Sequence, residues 1–329
     1  MAFLTRRLGF YLVAAWAALT INFLIPHLMP GNPMQVILSH FQGKPSPAQM
    51  LNIEQTMGLQ PGRGLLAQYA TYLGQLVHGD LGISITYFPA SVRSVIDGGL
   101  PWTVCLVGGA TVISFLAGTF AGLVAGWRRG NRLADAALPA STFLNSVPYF
   151  WIGLLALTVF AVNLGWFPES GGAGYGQVPS FSPSFIGAAL DHAALPALTI
   201  VVSSFGGWLL TMRNMTVTTM SEDYITVARA KGLKESRIML AYAARNALLP
   251  NLSAFALSLG FVVSGAIVTE IIFSYPGIGF ALFNAVANED YPLMQGVFLV
   301  ITLAVLVANL LADGLYVLLD PRIRQGAGR

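Results

Sequence analysis

From Leu8 to Met29 the chain runs 22 residues without a single Asp, Glu, Lys or Arg. A stretch that long and that apolar matches the hydrocarbon thickness of a bilayer, which a helix crosses in about 20 residues. Five further runs repeat the pattern, at about 100–126, 136–163, 193–212, 251–273 and 293–319. Composition agrees: 9% of the 329 residues are charged and 55% are hydrophobic, whereas a soluble domain carries about 25% charged residues. The expected fold is therefore an all-α membrane protein with six transmembrane helices. Arg6 and Arg7 ahead of an apolar run mimic the start of a signal peptide. The run is too long for an h-region, and "HLMPGNP" after it offers no small-residue cleavage site, so the segment is read as a retained helix.

An even number of spans places both termini on one side. With the termini in the cytoplasm, the inner cations are Arg6 and Arg7; Arg128, Arg129 and Arg132; Arg213, Arg229, Lys231, Lys234, Arg237 and Arg245; and Arg322, Arg324 and Arg329. These are fourteen of the seventeen, a strong positive-inside bias. The other three, Lys44, Arg63 and Arg93, lie in one long outer segment, where that bias has least force. The net charge of +3 is no sign of nucleic-acid binding, because the cations flank spans instead of interleaving with aromatics on a polar surface. The lone cysteine, Cys105, excludes an intrachain disulfide and is read as packing.

The chain divides into residues 1–29, the N-terminus and first span; 30–99, a small extracytoplasmic cap segment; and 100–329, the membrane core, with a cytoplasmic loop at 213–249. Within the cap, "LLAQYATYLGQLVHG" has the apolar spacing of a short surface helix. Residues 164–192, rich in Gly, Pro and Ser, are expected to lack long regular structure, and 274–292 read as a short helix or re-entrant segment. Gly118, Gly122 and Gly126 recur every four residues, a face on which another helix can approach closely. Pro139 and Pro148 interrupt the third span, predicting a kink or a late helix start. In lipid, irregular backbone survives only where protein or a water-filled path satisfies it.

The cytoplasmic loop has internal order. "SEDYITVARAK" predicts a helix with Ser221 as N-cap and Glu222 and Asp223 in its first turn. Gly232 reads as its stop, since a positive φ costs glycine little. A second helix, about 234–246, leads to Pro250 and the fifth span. The unit displays Arg229, Lys231, Lys234, Arg237 and Arg245. A solvated inner loop obeying the positive-inside rule accounts for the sign of this charge, but not for the caps or the glycine. A helix, break and helix held beside two spans is what a soluble partner would grip to move them.

"ARAKGL" and "RNALLP" in this stretch resemble the cytoplasmic loop of importer permeases of the ATP-binding-cassette superfamily, in particular the dipeptide and oligopeptide branch, which includes nickel importers. "GDLGIS" (79–84), "FSYPGIG" (273–279), "DYPLMQG" (290–296) and "LDPRIR" (319–324) are similar to that branch's motifs at the matching places, so the resemblance covers nearly the whole chain. At the superfamily's Glu-Ala-Ala positions this chain has Thr226, Val227 and Ala228, and its spacing from Gly232 to Pro250 is longer than the general pattern; both features are similar to the peptide branch. "PGNP" puts Asn32 where the branch commonly has a carboxylate.

The resemblance implies a type I importer permease fold in the bacterial inner membrane and a non-enzymatic transport subunit. Its implied partners are a second homologous permease chain, two ATP-binding-cassette ATPases and an extracytoplasmic substrate-binding protein. It further implies that Tyr224, Thr226, Ala228, Arg229, Ala230, Lys231, Gly232 and Leu233 engage an ATPase, and that the chain forms half of a path for di- or oligopeptides, with oligosaccharide or a nickel chelate as alternative cargo. No "GxxxxGK[ST]" occurs, since Gly43-Lys44 precedes Pro45, so ATP and Mg belong to the partner subunits and no cofactor is expected here.

Two carboxylates fall within or at the edge of spans, where an ionisable group is a functional candidate. Glu270, near the outer end of the fifth span, is a gate candidate together with Tyr275, Pro276 and Gly277; the alternative is an interfacial residue bonded to nearby backbone. Asp313 is expected to pair with an inner Arg or to cap a helix. His27, His40, His78 and His192 share no ligand spacing on one helix and are taken as ordinary loop and span-edge residues, with no metal site. Tyr149, Phe150, Trp151 and Trp166 suit an interfacial belt or packing near the path. An ion-coupled secondary transporter would place carboxylates or broken helices of repeated halves at the midplane, and a membrane enzyme would cluster His, Asp, Glu or Ser at one depth. The sequence has neither pattern.

Overall fold

A computed structural model describes residues 2–28, 64–128, 132–174, 176–260, 262 and 267–319, apart from the side chains of 2–8, 26–27, 132–137 and 311–319. The described residues are mostly helical, and the only extended pairing among them is an isolated bridge between Ile83 and Ser91. In sequence order the helices are α1 (Ala2–Leu28), α2 (Leu65–Val77), α3 (Val92–Trp127, with a π-helical turn at Val104–Gly108), α4 (Arg132–Ser146), α5 (Tyr149–Asn163), α6 (Pro183–Thr219), α7 (Asp223–Ala230), α8 (residues 235–260), α9 (Ile267–Ile272), α10 (Ile278–Ala287) and α11 (Tyr291–Leu319).

Among the described residues three helices are long and apolar enough to span a membrane, and α4 with α5 makes a fourth if that bent pair, 94° across its break, is one span. The break falls at Pro148, one of the two prolines expected to interrupt the third span, while Pro139 lies inside α4. α2 is the short helix expected in the outer segment, and α10 the one expected after residue 274.

Several expectations are corrected. The helix that carries the second span starts at Val92, ahead of the apolar run. The fourth is 37 residues long, so residues 183–192, expected to be irregular, are helical. The reason is local: Ser182 caps the helix by accepting a hydrogen bond from Phe185 N at 3.3 Å, and Pro183 supplies the pre-set φ of a first helical residue. Ser221 is not an N-cap. Its hydroxyl donates to Thr218 O (2.7 Å) at the end of α6, and Glu222 takes the cap position of α7. The second helix of the loop does not end before Pro250, because α8 runs through it to Gly260. Cys105, read as packing, is exposed.

The protein forms two compact units. The first comprises Met1–Thr103, Val263–Ile267 and Pro276–Leu306. Its core joins Val92 and Ile96 of α3 to Ile278, Leu282 and Ala285 of α10 and to Leu293, Met294 and Val297 of α11. Three of the sequence motifs meet here. Asp290, fully buried, accepts hydrogen bonds from Ser84 Oγ, from Thr86 N (2.9 Å) and from Leu293 N (3.1 Å). Ile278 N donates to Thr103 Oγ1 at 2.9 Å. Gly296 allows α11 to lie against α3, since a Cβ there would stand 2.4 Å from Val92 Cγ1. Phe23 of α1 packs against Tyr69 and Tyr72 of α2, the rings tilted and their centroids 5.2 and 5.5 Å away.

The second unit comprises Val104–Val262, Val268–Tyr275 and Val307–Arg329. The glycine stripe of α3 is where α6 crosses it: a Cβ on Gly118 would lie 2.7 Å from Trp208 Cβ, on Gly122 2.4 Å from Leu209 O, and on Gly126 2.7 Å from Thr216 Cβ. Backbones this close gain dispersion contacts that larger side chains would prevent. α4 meets α6 in the same manner, Gly206 facing Ser141 O. α8 joins through Phe255, which stacks on Phe115 at 4.2 Å, and through buried Asn251, whose amide donates to Thr119 Oγ1 (3.1 Å) and Trp208 O (3.3 Å).

Candidate coupling surface

The amphipathic sequence of α7 divides its residues between two faces. Ile225 (0% exposed) and Ala228 (2%) turn inward and form a small core with Ile238 and Ala243 of α8, flanked by Trp127, Tyr224 and Leu233. Thr226, Val227, Arg229, Ala230 and Lys231 turn outward. Asp223 in the first turn and Arg229 in the last complement the helix dipole.

α7 stops as its sequence predicts. Gly232 adopts φ +72°, its N–H donates to Arg229 O at 2.9 Å, and Leu233 N donates to Ala228 O at 3.4 Å. This is the Schellman pattern, completed by the apolar contact of Leu233 with the Ala228 cluster. Lys234 then caps the start of α8 in extended conformation. Tyr224 OH accepts from Asn246 Nδ2 at 2.7 Å, fastening the first helix to the second. Arg229 is held back on the hairpin, its Nε 3.2 Å from Glu235 Oε1 and its Cζ 5.6 Å from the Trp127 ring centroid. Both side chains of that ion pair are partly exposed, so the pair contributes at most about 1 kcal/mol.

The hairpin is continuous with the membrane helices. Met239, Ala244, Ala247 and Leu248 of α8 pack with Leu123 of α3 and Met212 and Met215 of α6, and Asn251 lies one turn further along. α7 is thus joined to α8 through a buried core, and α8 to α3 and α6 through side chains in contact.

The predicted coupling residues thus separate. Thr226, Arg229, Ala230, Lys231 and Gly232 form an open surface, whereas Ala228 is directed into the protein's own core and Tyr224 and Leu233 are half-buried beside it. Glu270 on α9 is fully buried, and its carbonyl accepts from Tyr275 N at 2.8 Å; Tyr275 is itself buried. Pro276 and Gly277 belong to the first unit, where Gly277 caps α10. His78 and His192 each pair Nδ1 with a carbonyl of their own helix, Gly74 O (2.7 Å) and Ala188 O (2.8 Å). No group of metal-ligating side chains occurs among the described residues. The side chains of His27 and Asp313, and all of Asn32 and His40, lie outside those residues.

Sequence reasoning missed Asn251 and Asp290. The signals were a carboxamide directly after Pro250 in an apolar run and a carboxylate opening the "DYPLMQG" motif.

The model of the family described as binding-protein-dependent transport system inner membrane component matches residues 118–325. The di/tripeptide transport system permease protein DppB of Pseudomonas aeruginosa is 33% identical, the alignment covering 98% of this chain and 99% of that protein. The oligopeptide transport system permease protein AppB of Bacillus subtilis is 32% identical over 92% of this chain and 93% of its own. The probable D,D-dipeptide transport system permease protein DdpB of Escherichia coli is 34% identical, with 97% and 96% covered.

Proposed function

The chain belongs to the family of binding-protein-dependent transport system inner membrane components, and from that premise we propose that it carries di- or oligopeptides as one half of an ATP-driven importer's path. It is a multi-pass permease subunit of the dipeptide and oligopeptide branch, and it works with a substrate-binding protein and ATPase subunits. Peptide is the cargo that the names of its full-length relatives support. The proposed assembly has a second permease subunit, two ATPases that hold ATP and Mg, and cytoplasmic termini, as the distribution of cations favours.

The observation that carries the mechanism is the α7–Gly232–α8 hairpin. Its outward row of Thr226, Val227, Ala230 and Lys231 is a free helical face, and its inward row is locked to α8. An ATPase that grips the outer face and closes on ATP shifts α7 as a rigid piece. α8, continuous to Gly260, carries that shift to α3 and α6. Coupling is then a matter of differential contact: nucleotide moves the permease only as far as its subunits hold α7 differently in their open and closed states.

The test is reconstitution of the protein with its partner subunits in proteoliposomes. ATP-dependent uptake of a labelled dipeptide, with ATPase activity stimulated by the loaded binding protein, is the expected result. Uptake driven by an ion gradient without ATPase subunits would refute the reading.

A further inference from the structure

The break between α4 and α5 presents polar groups that neither the fold nor the coupling surface uses. Pro148 has no N–H, and its ring disfavours helical φ/ψ at Val147, so α4 ends at Ser146 and α5 leaves at 94°. A helix end leaves its last carbonyls without internal partners. Val147 N takes Phe143 O at 3.2 Å, and among the described residues none donates to the carbonyls of Leu144, Asn145 or Ser146. On the same face, Thr142 and Ser146 return their hydroxyls to their own helix, at 2.9 and 2.8 Å. The Asn145 carboxamide has no such bond. It is exposed beside α6, its Oδ1 3.6 Å from the place a Cβ on Gly207 would take.

Gly207 lies within the fourth apolar run of the sequence, so this group of acceptors and one carboxamide stands beside a segment apolar enough to cross a membrane. Lipid cannot satisfy it, and such backbone is tolerated only inside protein or along a water-filled passage. Phe143, Asn145, Ser146, Pro148, Tyr149 and Trp151 are exposed, so this protein does not itself bury the face. A second permease subunit would have to bring donors to a bent backbone. A peptide brings both of what is needed, backbone N–H groups for the open carbonyls and backbone carbonyl oxygens for the carboxamide, while the adjacent aromatics offer apolar contact indifferent to sequence.

We propose that the Pro148 break is a cargo-contacting wall of the path, with the Asn145 carboxamide and the carbonyls of Leu144 to Ser146 hydrogen-bonding the peptide backbone. This inference rests on the peptide reading given under Proposed function. Its test uses the assembled complex, with Cys105→Ser removing the one native thiol of this chain and the same background without an introduced cysteine as the blank. Asn145→Cys should react with a charged, membrane-impermeant thiol reagent at least about tenfold faster than Leu116→Cys, a residue 60% exposed on α3, because thiolate reactivity needs water. Asn145→Leu should lower dipeptide uptake about five- to tenfold, the worth of one or two hydrogen bonds, with co-purification of the ATPases and binding-protein-stimulated hydrolysis retained; Asn145→Gln should transport near the wild-type rate.

If Asn145→Cys reacts no faster than Leu116→Cys, or crosslinks to the second permease subunit, or if Asn145→Leu transports normally, the inference fails while wild-type uptake leaves the functional reading intact. If the wild-type complex moves no peptide, that reading fails and the cargo assigned to this wall falls with it.

Discussion

Gly232 separates two explanations of why a glycine ends α7. Nothing lies within 4 Å of a Cβ built on it, so space does not require glycine; φ +72° does. An L side chain in that left-handed region costs about 1–2 kcal/mol, more when β-branched, and Asn tolerates it best. The alternative to accepting that strain is to abandon the turn, giving up the bonds from Gly232 N to Arg229 O and from Leu233 N to Ala228 O. A cost of one or two kcal/mol multiplies the population of the abandoned turn by about 5–30. We expect membrane insertion to be unchanged across Gly232→Asn, Gly232→Ala and Gly232→Val, and uptake per ATP hydrolysed to fall in that order, Val losing most. The assay is dipeptide uptake and ATP hydrolysis measured on the same proteoliposomes. If Gly232→Val kept wild-type uptake with wild-type stimulation, the turn would have no part in coupling. If Gly232→Ala and Gly232→Asn behaved alike, backbone conformation would not be the reason for the glycine.

Two other changes test the packing. Asp290→Ala leaves Ser84 Oγ, Thr86 N and Leu293 N without their common acceptor and should destabilise the first unit by about 3 kcal/mol, Asp290→Asn by less, since an amide keeps one acceptor; the check is the protease resistance of the segment around residue 84 in purified complex. Gly122→Ala drives a methyl to 2.4 Å from Leu209 O in the middle of the α3–α6 crossing, an overpacking cost of about 1–3 kcal/mol. It should lower the melting temperature of the detergent-solubilised complex, whereas Gly109→Ala, where the added atom meets nothing within 4 Å, should not.

The features legible in the sequence were those fixed by neighbours along the backbone or by the solvent. Lipid demands long apolar helices, so the runs carried by α3, α6 and α11 read as spans. A left-handed residue after a helix demands glycine, so Gly232 read as a stop. A four-residue glycine repeat lies on one helical face whatever that face meets, so the α3 stripe read as a crossing point before its partner was known. The same logic misassigned the cap of α7: Ser221 has the right chemistry for it, but its hydroxyl found a nearer acceptor in Thr218 O at the end of a helix longer than its apolar run.

Tertiary structure decided what depends on residues far apart. The sequence places the end of the loop's second helix near Asn246, ahead of Pro250, yet α8 passes through the proline with Ala247 and Asn251 on either side fully buried, packing that outweighs the lost backbone bond. Ala228 was counted with the residues that a partner would touch, but only the core with Ile238 and Ala243 shows that it faces inward. Asp290 gains its meaning from Ser84 and Thr86, some two hundred positions earlier. The sequence by itself determined that this protein lies in a membrane and where the hairpin turns, because local sterics and solvation depend on adjacent residues. Which side chains lock, which stay open and which polar groups remain unmet were settled only when helices distant in sequence came into contact, because burial and hydrogen-bond satisfaction belong to the packed molecule.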